Sequence, residues 1–166
     1  SIDVQAPPTD LEHRMPVVGR RRTGTATRGF RPIGVPSTAQ LRPDAVILGY
    51  PVITSGDFAH KGSIANLAGN DRSLWELFSL EKQVQPGMPP FFLWHTVEDD
   101  VVPVQNTLLL VGALQACQVQ YELHLFPHGA HGSSTCHREV NHPDPHNATW
   151  LPLCIDWLAD VFDFHL

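Results

Sequence analysis

Two segments of the chain hold residues that could do chemistry together. One reads His95-Thr96-Val97-Glu98-Asp99-Asp100-Val101-Val102-Pro103, the other Phe126-Pro127-His128-Gly129-Ala130-His131-Gly132. A carboxylate and an imidazole brought together form the acid–base half of a nucleophilic mechanism. The carboxylate orients the ring and stabilises its protonated form, and the ring takes the proton of a serine hydroxyl. Residue type alone leaves Glu98, Asp99 and Asp100 open as the acid, because three adjacent acids on a loop are usually solvated charge. Among the histidines, His124 lies inside an alternating segment and His95 ends an apolar one, so both read as structural. His131 competes with His128, but Gly129 and Gly132 flank it and suit a tight loop that presents a side chain.

Three short apolar segments must position these loops. Ala45-Val46-Ile47-Leu48-Gly49-Tyr50 is a continuous apolar run closed by Pro51, and reads as a strand buried on both faces. Phe91-Phe92-Leu93-Trp94-His95 reads the same way, and Tyr121 to Phe126 alternates up to Pro127. Residues 51–70, with Gly56, Gly62 and Gly69, read as a loop. Asp71 can cap a short helix carrying Leu74, Trp75, Leu77 and Phe78, and Ser79-Leu80-Glu81 continues towards Pro86. Pro103 opens a helix over roughly 104–117, 128–147 is a His-rich loop, and a last helix runs from about Ala148 to Phe162. Strands alternating with helices predict a parallel sheet covered on both faces. Ligands of such sheets lie beyond the C-terminal ends of the strands, where both reactive loops fall.

The detail of these motifs resembles one family. Pro89-Pro90-Phe91-Phe92-Leu93-Trp94-His95-Thr96, the D-x-x-V-P pattern at 99–103 and F-P-H-G-x-H-G at 126–132 are similar to the acetyl-esterase and xylan-esterase-like branch of the α/β-hydrolases. Ser79-Leu80-Glu81 and Pro145-His146-Asn147-Ala148-Thr149-Trp150 extend the likeness, which covers about residues 42–163. The resemblance implies the C-terminal half of an α/β-hydrolase fold: three parallel strands with flanking helices. It further implies that Asp99 is the triad acid and His131 the base, and that full-length relatives act on small carboxylic esters of short acyl groups or acetylated sugars. No cofactor and no metal are expected.

The nucleophile of that fold sits on G-x-S-x-G, at a strained strand-to-helix turn. No such motif occurs in the 166 residues. Ser37 has the wrong spacing and a proline beside it, and Ser63, Ser133 and Ser134 come too late in the chain order. The family's nucleophile would precede residue 45, in a stretch of different character. Residues 1–42 carry Arg14, Arg20, Arg21, Arg22, Arg28, Arg31 and Arg42 against three acids, a net +4, while the remainder is −10. Pro7, Pro8, Pro16, Pro32 and Pro36 break any periodicity there. We therefore divide the chain into an irregular basic tail, 1–42, and a partial hydrolase domain, 43–166. The tail is expected not to be family sequence, through a shifted frame, an altered splice or a misplaced start. A chain that begins with Ser1 is consistent with a fragment or a processed product. If no other frame of the coding DNA encodes the serine elbow, the frameshift version fails.

Composition narrows the remaining classes. A net charge of −6 argues against nucleic acid or anionic membrane as the main partner. No apolar run approaches the ~18–20 residues that cross a bilayer. Cys117, Cys136 and Cys154 show no C-x-x-C spacing and read as free thiols of a reducing compartment, hence a cytoplasmic chain. The sequon Asn147-Ala148-Thr149 is discounted on the same ground. Two other functions compete with an esterase. One is a non-catalytic interaction module that needs a partner half, or that self-associates through the open edge of strand 45–50. The other, weaker, is a metal binder built on His128, His131, Cys136, His137, His142 and His146, which lack any zinc-ligand spacing.

Overall fold

The computed structural model describes residues 42–163, apart from positions 70, 139, 141 and 142. The tail up to residue 41, and His142 of the histidine cluster, lie outside the described residues. Three parallel strands, β1 (Val46–Gly49), β2 (Phe91–Thr96) and β3 (Tyr121–Phe126), form one sheet in the order β1-β2-β3. Val46 lies opposite Phe91, Gly49 opposite Trp94, and Thr96 opposite Phe126. The central strand is buried at every position, as its unbroken apolar run predicts.

The strand period of two sorts the side chains between two cores. Phe92, Trp94 and Phe126 pack on one face with Cys154 and Trp157 of helix α3 (Trp150–Phe162). Phe91 and Leu93, with Val46 and Leu48, pack on the other against Leu110 and Leu114 of helix α2 (Gln105–Ala116). One glycine in the sheet is required. A Cβ on Gly49 would fall 2.8 Å from Trp94 Nε1, so a bare backbone lets the indole lie across β1.

Two segments differ from the sequence expectation. The loop expected over 51–70 contains helix α1 (Lys61–Ala68), which buries Ile64 and Ala68. Its N-cap is a histidine: His60 Nδ1 accepts from the Ser63 N–H at 3.3 Å. Gly69, at φ +58°, closes its C-terminus, so that glycine terminates a helix and does not mark a continuous loop. The helix expected after Asp71 is reduced to a 3-10 turn, Arg72–Leu74, with Asp71 accepting from the Ser73 N–H at 2.9 Å. Ser55 Oγ donates to the Trp75 carbonyl at 2.6 Å, and the Phe78 N–H also bonds that carbonyl at 3.1 Å, which keeps the segment in tight turns. Among the described residues, no helix is long and apolar enough to cross a membrane.

Candidate active site

The structure brings Asp99 and His131 together. Both lie beyond the C-terminal ends of adjacent strands, and Asp99 Oδ2 accepts from His131 Nδ1 at 2.7 Å. The Asp99 side chain is fully buried, whereas His131 keeps a quarter of its side-chain surface exposed. Neighbouring backbone holds the carboxylate: Oδ1 accepts the N–H groups of Val101 (3.0 Å) and Val102 (2.8 Å). The chain folds back on the carboxylate and then enters α2. Burial pushes the Asp99 carboxyl up, but the Val102 N–H, the His131 hydrogen bond and the Val101 N–H outweigh it, and the net shift is downward. Asp99 is thus an anion. It can only accept, so His131 Nδ1 carries the proton and Nε2 presents a lone pair. Among the described residues none hydrogen-bonds that Nε2. Glu98 is elsewhere, paired with His128 at 2.8 Å on the exposed rim, where such a pair contributes little.

The loop carrying His131 is fastened from below. Thr96 Oγ1 donates to the Gly129 carbonyl at 2.8 Å, and Asn147 Nδ2 donates to the His128 carbonyl at 2.8 Å. Asn147 is 1 % exposed, so the sequon asparagine belongs to the interior of the fold. Gly129 has φ +135°, a region that is nearly glycine-only, and a Cβ there would stand 2.6 Å from Asn147 Nδ2 and 2.9 Å from Thr96 Cγ2. Gly129→Ala is therefore expected to cost about 2 kcal/mol from backbone strain alone. A denaturation midpoint unchanged from wild type would contradict this.

Sequence reasoning missed two contributors. Tyr50, read only as the end of a strand, sits at φ +39° with its ring 4.8 Å from His131 and 4.9 Å from Trp94. Its hydroxyl accepts the Ser134 N–H at 3.1 Å, so it braces His131 and the following turn from one side. A short apolar run before proline carries no signal for such a role. His95 was read as structural, and it is fully buried, but it also touches Asp99: Nε2 is 3.2 Å from Oδ2. The signal was its place at the end of the strand leading to the acid. His124 does have a structural place, bonded to Glu122 at 2.7 Å and packed on Phe92.

The His95 environment makes stability depend on pH. Burial holds its pKa below the ordinary value, against the raising effects of the Val102 carbonyl and Asp99; His131 lowers it further. A histidine whose folded pKa is depressed stabilises the fold above its unfolded pKa of about 6.5. That contribution is lost as pH falls through the folded value, because the unfolded chain binds the proton first. Asp99, also depressed, adds the same sign below its own unfolded range. Unfolding free energy should fall below about pH 6.5 by up to about 1.4 kcal/mol per pH unit for the one histidine proton. The slope should flatten in His95→Gln. A wild-type unfolding free energy flat between pH 6.5 and 5 would refute it.

The free thiols and the histidine-rich loop were the two remaining features of the sequence. The three cysteines are unpaired. Cys117 is only half-buried, at the end of α2, while Cys136 and Cys154 are buried. Burial, with the Glu122 charge behind it, pushes the Cys154 thiol up to about 11, which makes it a poor nucleophile. Among the described residues, no three His, Cys, Asp or Glu side chains gather into a metal site.

Known proteins match this arrangement along most of the described chain. The profile of the prolyl oligopeptidase family matches residues 64–158, more than half of the sequence. Endo-1,4-beta-xylanase B of Butyrivibrio fibrisolvens is 46% identical over 100 residues, covering 59% of this chain and 16% of that protein. The acetyl ester-xyloside bifunctional hydrolase of Caldicellulosiruptor lactoaceticus superposes with a TM-score of 0.68 at 38% identity, covering 75% of this chain and 45% of the other. A sugar hydrolase of Lactococcus lactis gives 0.67 at 30% identity, covering 77% and 52%. This chain thus spans about half, or less, of the length of each of these relatives. The chain belongs to the prolyl oligopeptidase family of α/β-hydrolases.

Proposed function

We propose that Asp99 and His131 are the acid and base of a serine-esterase triad acting on small carboxylic esters. The observation that carries this reading is the 2.7 Å bond that sets His131 with Nδ1–H towards a buried carboxylate and Nε2 unbonded. In that state Nε2 takes the proton of a serine hydroxyl as the oxygen attacks the ester carbonyl. Asp99 stabilises the imidazolium that results, and the proton then passes to the leaving alcohol. Short acyl or acetylated-sugar esters are the proposed substrates, supported by the names of the xylanase and the acetyl ester-xyloside hydrolase that this chain resembles.

Acid and base need a nucleophile and an oxyanion hole, and no G-x-S-x-G occurs in these 166 residues. The chain by itself is therefore expected neither to turn over p-nitrophenyl acetate nor to label with a serine-hydrolase probe. Turnover abolished by His131→Ala would mean instead that it supplies its own nucleophile. The role of the pair is tested by grafting residues 42–163 in place of the matching region of the Caldicellulosiruptor hydrolase, where a serine elbow would be available.

A second reading, an interaction module, is favoured by one feature. Among the described residues no strand lies on the side of β1 away from β2, which leaves backbone groups open to pairing with another chain or a second copy. Sizing chromatography decides it: a monodisperse monomer excludes self-association.

A further inference from the structure

The Asp99 carboxylate serves two imidazoles on one oxygen. His131 approaches Oδ2 at 2.7 Å from the open side, and His95 at 3.2 Å from within the core. The hydrogen positions around His95 follow from its partners. Nε2 also lies 3.0 Å from the Val102 carbonyl oxygen. A carbonyl and a carboxylate can only accept, so Nε2 carries the hydrogen and shares it between them. Nδ1 lies 2.7 Å from Thr107 Oγ1, a hydroxyl that is fully buried on α2. With Nε2 protonated and the ring wholly desolvated, Nδ1 is bare and the threonine donates to it. The sheet register makes this meeting unavoidable. His95 follows Phe91 and Leu93 on the face of β2 that packs against α2.

Resting on the reading of Asp99 and His131 as acid and base, we propose that His95 is a positioning residue. Locked as the Nε2–H tautomer by Thr107, it donates to the oxygen of Asp99 that receives His131, and so fixes the proton arrangement of His131. Two backbone N–H groups on Oδ1 and two imidazole N–H groups on Oδ2 use the lone-pair sites of the carboxylate. Rotation of the carboxylate would break bonds at both oxygens. Oδ2 is thereby held towards His131, whose Nδ1 must donate and whose Nε2 must stay bare. Remove the donor at 95, and Oδ2 keeps His131 as its single partner, so the carboxylate is held more loosely at the oxygen that faces the ring.

The test is long-range nitrogen–proton NMR of the histidine rings in the full chain, at a pH above the imidazole range. In wild type, His131 is expected as Nδ1–H and His95 as Nε2–H. His95→Met fills the same core volume without a donor. It should move His131 towards the Nε2–H form that free imidazole side chains favour, by about fivefold in the tautomer ratio, the factor one ordinary hydrogen bond supports. His95→Gln, which keeps an N–H near the Nε2 position, should restore it. A folded His95→Met chain with an unmoved His131 spectrum overturns the proposal. Should that variant not fold, Thr107→Val keeps the ring in place, and the Nδ1 signal of His95 should shift to its unbonded position. An unmoved signal, or a wild-type His95 protonated on Nδ1, overturns the proposal equally. A wild-type His131 found as Nε2–H would bring down the acid–base reading itself, which the other outcomes leave standing.

Discussion

In the grafted hydrolase, His131→Ala is expected to lower kcat by roughly 10,000-fold or more, the size of effect seen when the base of a serine triad is removed. The ring is the sole group among the described residues that sits on the buried acid with an unbonded nitrogen and partial exposure. His95 also touches Asp99 but is sealed in the core, and His128 is held by Glu98 at the rim. Neither can replace it. KM should change little, because proton transfer is required in the transition state and hardly at all in substrate binding. Steady-state rates with p-nitrophenyl acetate are the measurement. A graft in which His131→Ala retains a tenth of the parent kcat would exclude the role.

Asp99→Ala is expected to lower unfolding free energy by about 3 kcal/mol, since two backbone N–H groups lose their acceptor at about 1–3 kcal/mol each. The Val102 N–H is the costlier of the two, being buried where water cannot replace the carboxylate. His131 is partly exposed and can turn to solvent, so its loss adds less. Chemical denaturation reports the change as a lower midpoint at constant slope. Asp99→Asn makes a different prediction. Its carbonyl can still serve Val101 and Val102, so stability should be better kept. Its amide then faces two imidazole N–H groups, donor against donor, and His131 must move its proton to Nε2. In the graft that variant should be nearly as inactive as His131→Ala while remaining folded. An Asp99→Ala midpoint equal to wild type would show that the backbone turn holds without its carboxylate.

The parts of this molecule legible in the sequence were those that obey a short period or a local rule. Phe91-Phe92-Leu93-Trp94 reads as a central strand because both of its faces are dry, and it is buried throughout. Pro103 announced α2, and the alternation of strand and helix announced a parallel sheet. Helix α1 was hidden because its cap is a histidine and its breaker residues, Gly62 and Gly69, are the punctuation of loops. Asp71 was legible as a cap, but not the turn that Ser55, sixteen positions earlier, helps to hold. Asp99 and His131 could be placed in adjacent loops and given numbers by resemblance. Their bond and the strained Tyr50 beside them depend on contacts across dozens of residues, which no window of sequence contains. The buried His95, by contrast, lies only four residues before Asp99 and was masked by the apolar strand that carries it.

The first turn of α2 places two neighbouring residues in separate tasks. Asn106 Oδ1 accepts the N–H groups of Ile53 (2.9 Å) and Thr54 (3.0 Å), and its Nδ2 donates to the Phe58 carbonyl at 2.9 Å. Thr107, the next residue, holds His95 and through it the acid. The loop beyond β1 and the loop beyond β2 are therefore bolted to one another through a single peptide unit of the helix. Neither loop can slide away from the other without breaking a bond to a fully buried amide or hydroxyl. The exposed side chains of Phe58 and Val101, by contrast, can be exchanged with the backbone beneath them kept as a fixed chassis.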